Sequence, residues 1–189
     1  MTTIEDLVSV FKKQDLTGND IVTLTGKQPI LYSDLKKYKS LRQLVGKEGY
    51  AIVLYQTSDL TSGHFVMLGI RKDGSATFGD PYGIHWGTEK RLGASYDANM
   101  PRYINNLLAP YEAQDLATYN TIDFQSKNPL TSTCGRWSSL FCLLKELSWK
   151  TIGHLMQRNA NAYVNSDNIA VLLTMLPLGN IQSYLEHED

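Results

Sequence analysis

The spacing of apolar residues changes along the chain, and each spacing predicts a different element. IEDLVSVFKK has apolar residues at positions 4, 7, 8 and 11, which is the stripe of a short helix, and GND at 18–20 then breaks the pattern. YSDLKKYKSLRQLV predicts a second helix, which Ser33 caps and which ends at Gly46. Two helices are therefore expected in the first 46 residues, with a break between them.

Three runs rich in β-favouring residues follow, and they predict strands at 50–56, 64–70 and 75–83. The polar loop TSDLTSG separates the first two strands, and the turn RKDG separates the last two. Because short connections join antiparallel neighbours, the three strands are expected to form a meander.

The second half of the chain is predicted to be mainly helical. RYINNLLAPYE predicts a helix ended by Pro110, TYNTIDFQ at 118–125 is strand-like, and SKNPLTST predicts a loop. From Cys134 to Trp149 the pattern is helical and apolar almost all round, as in a central buried helix. NAYVNSDNIAVLLTML predicts a last helix with Ser166 or Asp167 as its cap. The fold class is therefore α+β: a small, mostly antiparallel sheet with a central buried helix and flanking helices.

Length and composition indicate one ordinary globular domain over residues 1–189. Hydrophobic residues make up 42% of the chain and charged residues 20%. The formal net charge of −1 gives no reason to expect nucleic acid or an anionic membrane as the main partner. The basic segment KKYKSLR at 36–42 is interpreted as a solvated helix face.

Neither end of the sequence has the features of a targeting or membrane segment. The N-terminal segment has no long apolar core, so it is not expected to be a signal peptide. The most apolar run, IAVLLTMLPL, is too short for a membrane span and contains Pro177. We therefore expect no membrane association.

The chain has two cysteines, Cys134 and Cys142. On one helix their Cα atoms would lie about 12 Å apart, beyond the roughly 7 Å that a disulfide spans. Two free thiols indicate a reducing compartment. The four histidines and two cysteines show no metal-ligand spacing such as CxxC or HxxxH, so neither a metal nor another cofactor is expected.

Cys134 lies where a helix start could make a thiol reactive. It follows Ser132 and Thr133 and opens the predicted buried helix, whose unpaired N–H groups and dipole stabilise a thiolate. Gly135 would let a substrate or another backbone approach closely. The alternative is a small apolar core residue, and Cys142, in mid-helix among leucines, fits that alternative well.

His64 and Asp80 are expected to meet on neighbouring strands. His64 stands in an otherwise apolar strand, and Asp80 follows 16 residues later on the strand predicted to pair beside it. A carboxylate at that place could orient the imidazole as a base. The alternatives are a hydrogen-bonded structural histidine and an aspartate that only forms a turn before Pro81.

Gln125 is the candidate oxyanion donor. It ends the strand-like segment before the Cys134 loop, and its side-chain N–H could bind an oxyanion together with the Cys134 backbone N–H. It could instead serve only to hydrogen-bond the loop. Asn128 or Gln114 could also supply the amide.

The order of these residues resembles the adenain-like cysteine proteases, relatives of the SUMO and ubiquitin-like-protein proteases. Within that group the chain is most similar to capsid-maturation proteases of virophages and large DNA viruses. The matching residues are Gly63-His64-Phe65, Gly79-Asp80-Pro81-Tyr82-Gly83, Tyr119-Asn120 leading to Gln125, and Thr133-Cys134-Gly135-Arg136, with Thr17 to Ile21 upstream and Tyr163 and Asp167-Asn168-Ile169 downstream. Many relatives have Trp where this chain has Phe65 and Asp where it has Thr133, and the gap from Gln125 to Cys134 is longer than usual.

The resemblance implies the adenain-like fold and a thiol endopeptidase with a Cys134–His64–Asp80 triad and Gln125 in the oxyanion hole. It also implies cleavage beside Gly or other small residues, in a narrow slot that Phe65, Tyr82, Trp86 and Trp137 could line. The expected substrate is a viral capsid or structural protein, with the enzyme in the viral factory of the host cytoplasm and in the virion.

Three matters stay open at this point. A peptide activator could bind, and nucleic acid is not an expected partner. A protease that removes a ubiquitin-like modifier would use the same site chemistry. A catalytically idle interaction protein could keep the fold, although the intact His, Asp and Cys argue against it.

Overall fold

The structure of the protein, a computed structural model, describes residues 3–56, 63–91, 102–128, 131–159, 166–175 and 177. The α-helices in these residues are α1 (Ile4–Phe11), α2 (Gly18–Thr25), α3 (Leu41–Val45), α4 (Tyr103–Glu112), α5 (Cys134–Leu143), α6 (Trp149–Asn159) and α7 (Ser166–Met175). The strands are β1 (Ile30–Leu31), β2 (Tyr50–Gln56), β3 (Gly63–Ile70), β4 (Ala76–Gly79) and β5 (Ala117–Tyr119), and 3₁₀ helices span Tyr32–Lys37 and Trp86–Arg91.

One five-stranded sheet of order β1-β2-β3-β4-β5 organises the fold. The pairs β2–β3 and β3–β4 are antiparallel, so the predicted meander is confirmed. The short edge strands β1 and β5 pair in parallel with β2 and β4. The α+β class is therefore confirmed, and the sheet is mixed.

Both faces of the central strands are buried, which explains their nearly continuous apolar sequence. On one face, β2 and β3 contribute apolar side chains to a core with α5, α6 and α2; its centre is formed by Ile52, Leu54, Met67, Trp137 and Phe141. On the other face, Val53, Val66, Leu68 and Phe78 pack with the first 3₁₀ helix, α3 and α4. Helix α5 is thus a central buried helix, as predicted.

In the first half of the chain, the helices begin and end at other residues than the apolar pattern predicts. GND at 18–20 does not interrupt a helix but begins α2, because Thr17 and Asp20 form a capping box there. The helix predicted over YSDLKKYKSLRQLV is a 3₁₀ helix followed by α3, and Ser40 caps α3 in place of Ser33. Gly46 ends α3, as expected.

Three boundaries in the second half were also wrong. The helix predicted from Cys134 to Trp149 is two helices, since α5 ends at Leu143 and Trp149 begins α6. Helix α4 continues two residues beyond Pro110, near its end, where the missing N–H costs a single helical hydrogen bond. Of the strand-like segment 118–125, only its first residues pair, in β5.

Two predicted features lie largely outside the described residues: the polar loop TSDLTSG and the start of the last predicted helix, with Tyr163. In the described part of the chain, no helix is long and apolar enough to cross a membrane.

Candidate active site

His64 and Asp80 form a buried pair at one edge of the sheet. His64 is the second residue of β3, and Asp80 directly follows β4, the antiparallel neighbour of β3. Nε2 of the imidazole lies 3.2 Å from both Oδ1 and Oδ2 of the carboxylate. Asp80 is completely buried, and 9% of the His64 surface is exposed. The sequence predicts Asp80 on a strand over 75–83, whereas β4 ends at Gly79 and Asp80 lies just past it. The antiparallel pairing of β3 and β4 still brings the two groups together.

The main chain around Asp80 is fixed by Asn120, which is also completely buried. The Asp80 N–H donates to Asn120 Oδ1 (2.8 Å), and Asn120 Nδ2 donates to Asp80 O (2.6 Å) and to Ile122 O (3.0 Å). The Tyr82 N–H donates to Asp80 Oδ1 (2.7 Å). These bonds hold the carboxylate towards the imidazole, and no role for Asn120 beyond its place in the resemblance was assigned from the sequence.

Cys134 is the first residue of α5 and lies next to the pair. Its Sγ is 4.0 Å from Gly63 O, the residue before His64. Burial lowers the pKa of His64, but hydrogen-bonding and charge interactions with Asp80 and Cys134 outweigh that effect and raise the pKa to about 9. Since Nε2 faces Asp80, Nδ1 is the ring nitrogen that can exchange a proton with the thiol. The three predicted triad residues are thus brought to one place.

The start of α5 differs from an ordinary capped helix. Thr133 occupies the N-cap position, but no side chain among the described residues caps the helix. The first intrahelical bond runs from the Trp137 N–H to Thr133 O (3.0 Å). The N–H groups of the first turn, beginning with Cys134, therefore point out of the helix and receive no hydrogen bond acceptor from the Thr133 side chain.

Gln125 lies close to this site and is almost fully buried. Its Nε2 donates to Tyr82 Oη (3.1 Å) and to Thr131 O (3.2 Å), whereas its Oε1 has no partner among the described residues. To bind an oxyanion, the Gln125 amide would have to give up its hydrogen bond to Tyr82 Oη or to Thr131 O. The other candidates are less well placed: Gln114 follows α4 on the far face of the sheet, and Asn128 is exposed in the loop.

Of the four aromatic residues predicted to line a slot, Tyr82 lies in the site. Its ring stacks on His64, with centroids 5.0 Å apart. Phe65 and Trp137 pack in the core around α5, and Trp86 packs against Phe78 on the other face of the sheet. Their burial leaves little surface for a substrate to contact.

Gly135 serves packing rather than substrate approach. A Cβ there would lie 3.2 Å from Leu16 Cβ and 3.3 Å from Ile21 Cδ1, so the glycine lets α2 pack closely on α5.

Asp167, in the first turn of α7, is a functional candidate for which the sequence gives only a possible cap and a place in the resemblance. Its buried carboxylate accepts hydrogen bonds from the Thr133 hydroxyl, from Trp137 Nε1 (3.0 Å) and from the Ser126 N–H (2.8 Å). It therefore joins the Gln125 loop to the start of the cysteine helix.

Cys142 has the surroundings of a structural thiol. It lies in mid-α5, and burial raises its pKa well above the usual range. Both cysteines are free. Within the described ranges, no group of three or more His, Cys, Asp or Glu side chains could hold a metal ion.

The chain is similar in sequence to a virophage protein and in structure to a bacterial domain. No protein-family model matches the chain. Uncharacterized protein V9 of Sputnik virophage is 27% identical over 174 residues, which cover 87% of this chain and 97% of V9. The central domain of the uncharacterized Lpg1148 protein from Legionella pneumophila is 13% identical, with a TM-score of 0.45 over 88% of this chain and 98% of that domain. The similarity to V9 makes a viral origin plausible.

Proposed function

We propose that the protein is a thiol endopeptidase with Cys134 as nucleophile, His64 as base and Asp80 as the group that orients the base. The observation that carries the proposal is the buried His64–Asp80 pair beside a thiol at the uncapped start of α5. A histidine with only a structural role would need a hydrogen-bond partner on only one ring nitrogen. Here the imidazole has a carboxylate on one nitrogen and a thiol near the ring, as nucleophilic catalysis requires.

In this mechanism the proton transfers take place at Nδ1 of His64, because Nε2 faces Asp80. Nδ1 takes the Cys134 proton, and the sulfur attacks the carbonyl carbon of a peptide bond, forming a C–S bond. The C–N bond breaks as the imidazolium gives its proton to the leaving amine. Water then attacks the thioester and passes a proton to His64, the C–S bond breaks, and the thiolate regains its proton. Asp80 stabilises the imidazolium in both halves without itself taking a proton.

The oxyanion would lie at the mouth of α5. The Cys134 N–H is the natural first donor, because the Thr133 side chain at the N-cap position does not cap α5. Gln125 would be the second donor, exchanging Tyr82 or Thr131 for the oxyanion. The positive end of the helix dipole favours both the thiolate and the developing oxyanion.

The proposed substrates are viral capsid or structural proteins, cut beside Gly or another small residue. The similarity to a virophage protein supports the viral setting. Only 8% of the Cys134 surface is exposed, and Tyr82 covers the imidazole. A side chain next to the scissile bond would therefore meet the walls of the site, and sterics alone could give about 1–3 kcal/mol of discrimination.

Co-expression with candidate viral structural proteins tests this function. New termini are mapped by mass spectrometry in cells that carry wild type, Cys134→Ala or Cys142→Ala. We expect cleavage beside small residues with wild type and Cys142→Ala, and none with Cys134→Ala. Equal cleavage by both cysteine variants would assign the activity elsewhere. Cleavage confined to ubiquitin-like fusions offered in parallel would favour a deconjugating enzyme instead.

A further inference from the structure

In the described part of the chain, four other helices begin with a hydroxyl residue that caps, and α5 begins with one that does not. Before α6, Ser148 accepts the Thr151 N–H (3.1 Å). Thr3, Thr17 and Ser40 each accept a hydrogen bond from the N–H three residues later. Their ψ angles, 163°, 167° and 157°, are those of extended backbone. Thr133 occupies the same position before α5, yet its ψ is 4° and its side chain makes no cap. The residue type alone does not explain that difference.

The difference is explained by Asp167. Its Oδ1 accepts the Thr133 hydroxyl and also Trp137 Nε1 (3.0 Å), so the hydroxyl that would otherwise cap α5 is turned towards α7. All three side chains are at least 99% buried, which leaves no water to replace these bonds. Oδ2 accepts the Ser126 N–H (2.8 Å), which fixes the residue after Gln125. One carboxylate thus contacts both segments that would supply oxyanion donors.

We propose that Asp167 is a positioning residue that keeps the start of α5 open for the oxyanion by holding the Thr133 hydroxyl away from it. This role rests on the proposed thiol-protease function. Without the carboxylate, Thr133 is free to turn to the extended conformation of Thr3 and Thr17 and to cap the Gly135 or Arg136 N–H. A capping oxygen there occupies the helix mouth and offsets the partial positive charge on which the oxyanion depends.

A double-mutant cycle between Asp167 and Thr133 tests the role, with turnover of a cleaved peptide as the readout. Asp167→Asn is expected to lower kcat by about tenfold to a hundredfold with KM nearly unchanged, since the loss falls on the transition state. Thr133→Val is expected to stay within about threefold of wild type. The decisive variant is Asp167→Asn/Thr133→Val, which has no hydroxyl left to cap α5. Its kcat should exceed that of Asp167→Asn by several-fold.

A purely structural role predicts the opposite order, because two losses from one buried network do not restore each other. A double variant no more active than Asp167→Asn would therefore overturn the proposal. Trp137→Phe is the matched control: it removes a bond to the same Oδ1 without freeing a hydroxyl, and it should retain turnover. Thermal unfolding of every variant checks folding, and Asp167→Ala, with and without Thr133→Val, repeats the cycle if Asp167→Asn does not fold.

Failure of this role and failure of the proposed function are distinguishable. The hydrogen bonds of Asp167 go to Thr133, Trp137 and Ser126. Alkylation of Cys134 in Asp167→Asn should therefore still depend on His64, although a cap on α5 lowers its rate together with the helix charge. If the wild-type enzyme is active and the effects of Asp167→Asn and Thr133→Val simply add in the double variant, only the positioning role is overturned. Wild-type protein without His64-dependent thiol reactivity or proteolysis would overturn the function, and this role with it.

Discussion

Nε2 of His64 lies 3.2 Å from both carboxylate oxygens of Asp80, a residue 16 positions later in the chain. The two side chains meet because β3 and β4 are antiparallel neighbours and Asp80 immediately follows β4. The arrangement leaves Nδ1 for the thiol of Cys134. Because His64 would carry the proton and Asp80 would only orient the ring, substitutions of the two residues should differ in their effect.

Replacing His64 should be as damaging to proteolysis as replacing Cys134, whereas Asp80→Asn should cost less. His64→Ala removes the proton carrier, and loss of a member of such a unit typically lowers kcat by several powers of ten. The amide of Asp80→Asn can still contact the ring, but it cannot stabilise an imidazolium as well. Steady-state kinetics on an identified peptide substrate measures both. An Asp80→Asn enzyme indistinguishable from wild type, with another acidic residue essential, would show that the third member is misplaced.

Gln125→Ala should lower kcat by about 10²–10³ with little change in KM, the usual loss for one oxyanion donor. Gln125→Glu keeps the size and removes the donor, so it should be similarly slow. Tyr82→Phe is the control, because it removes one acceptor of the Gln125 amide and leaves the amide itself intact. A large rise in KM with unchanged kcat would indicate that Gln125 contacts the bound substrate and does not bind the oxyanion.

Asn120→Ala should lower both stability and turnover through Asp80. The variant loses hydrogen bonds to both main-chain groups of Asp80 and leaves them buried, at a cost of about 1–3 kcal/mol in the free energy of unfolding. Asn120→Asp keeps the acceptor but turns a buried carboxylate oxygen towards Asp80 O and Ile122 O, which are both acceptors, so it should be at least as impaired as Asn120→Ala in both measurements. Chemical denaturation and peptide kinetics test this order. Wild-type turnover in a destabilised Asn120→Ala enzyme would confine Asn120 to folding.

The sequence indicates the residues of the proposed triad more clearly than the residues that hold them in place. His64, Asp80 and Cys134 follow from local patterns, namely two adjacent strands and a helix start. Asn120 and Asp167 act on partners 40 and 34 residues away, and no local spacing reveals such contacts. In the same way, apolar character could not separate a slot-lining tryptophan from a core one, and Trp86 and Trp137 proved to be core residues.

Helix starts show where a local signal existed and was overlooked. Thr17 and Asp20 have the spacing of a capping box, yet the sequence pattern favours a break at GND, the segment that ends with Asp20. The edge strand β1, only two residues long, pairs in parallel with β2 and carries no periodicity of its own.

The pKa of His64 predicts a pH dependence of stability. It is raised from 6.5 to about 9 in the folded protein, so protonation of His64 favours the folded state. Its contribution is complete below pH 6.5 and is lost as the pH rises through 9. The stability difference between wild type and His64→Gln should therefore shrink between pH 6 and pH 9, by at most about 3 kcal/mol. Urea unfolding at several pH values measures it. A difference that stays constant or grows with pH would contradict the raised pKa.

Site-resolved alkylation of the two cysteines tests the central claim most directly, because it needs no knowledge of the substrate. Wild type, His64→Ala and Asp80→Asn are treated with iodoacetamide between pH 5 and 8, and mass spectrometry gives a rate for each thiol. Cys134 should react at pH 6 much faster than an ordinary thiol, while Cys142, with its raised pKa, stays unmodified. Cys134 should lose that low-pH reactivity in His64→Ala. A Cys134 that reacts no faster in wild type than in His64→Ala would contradict a nucleophile activated by His64.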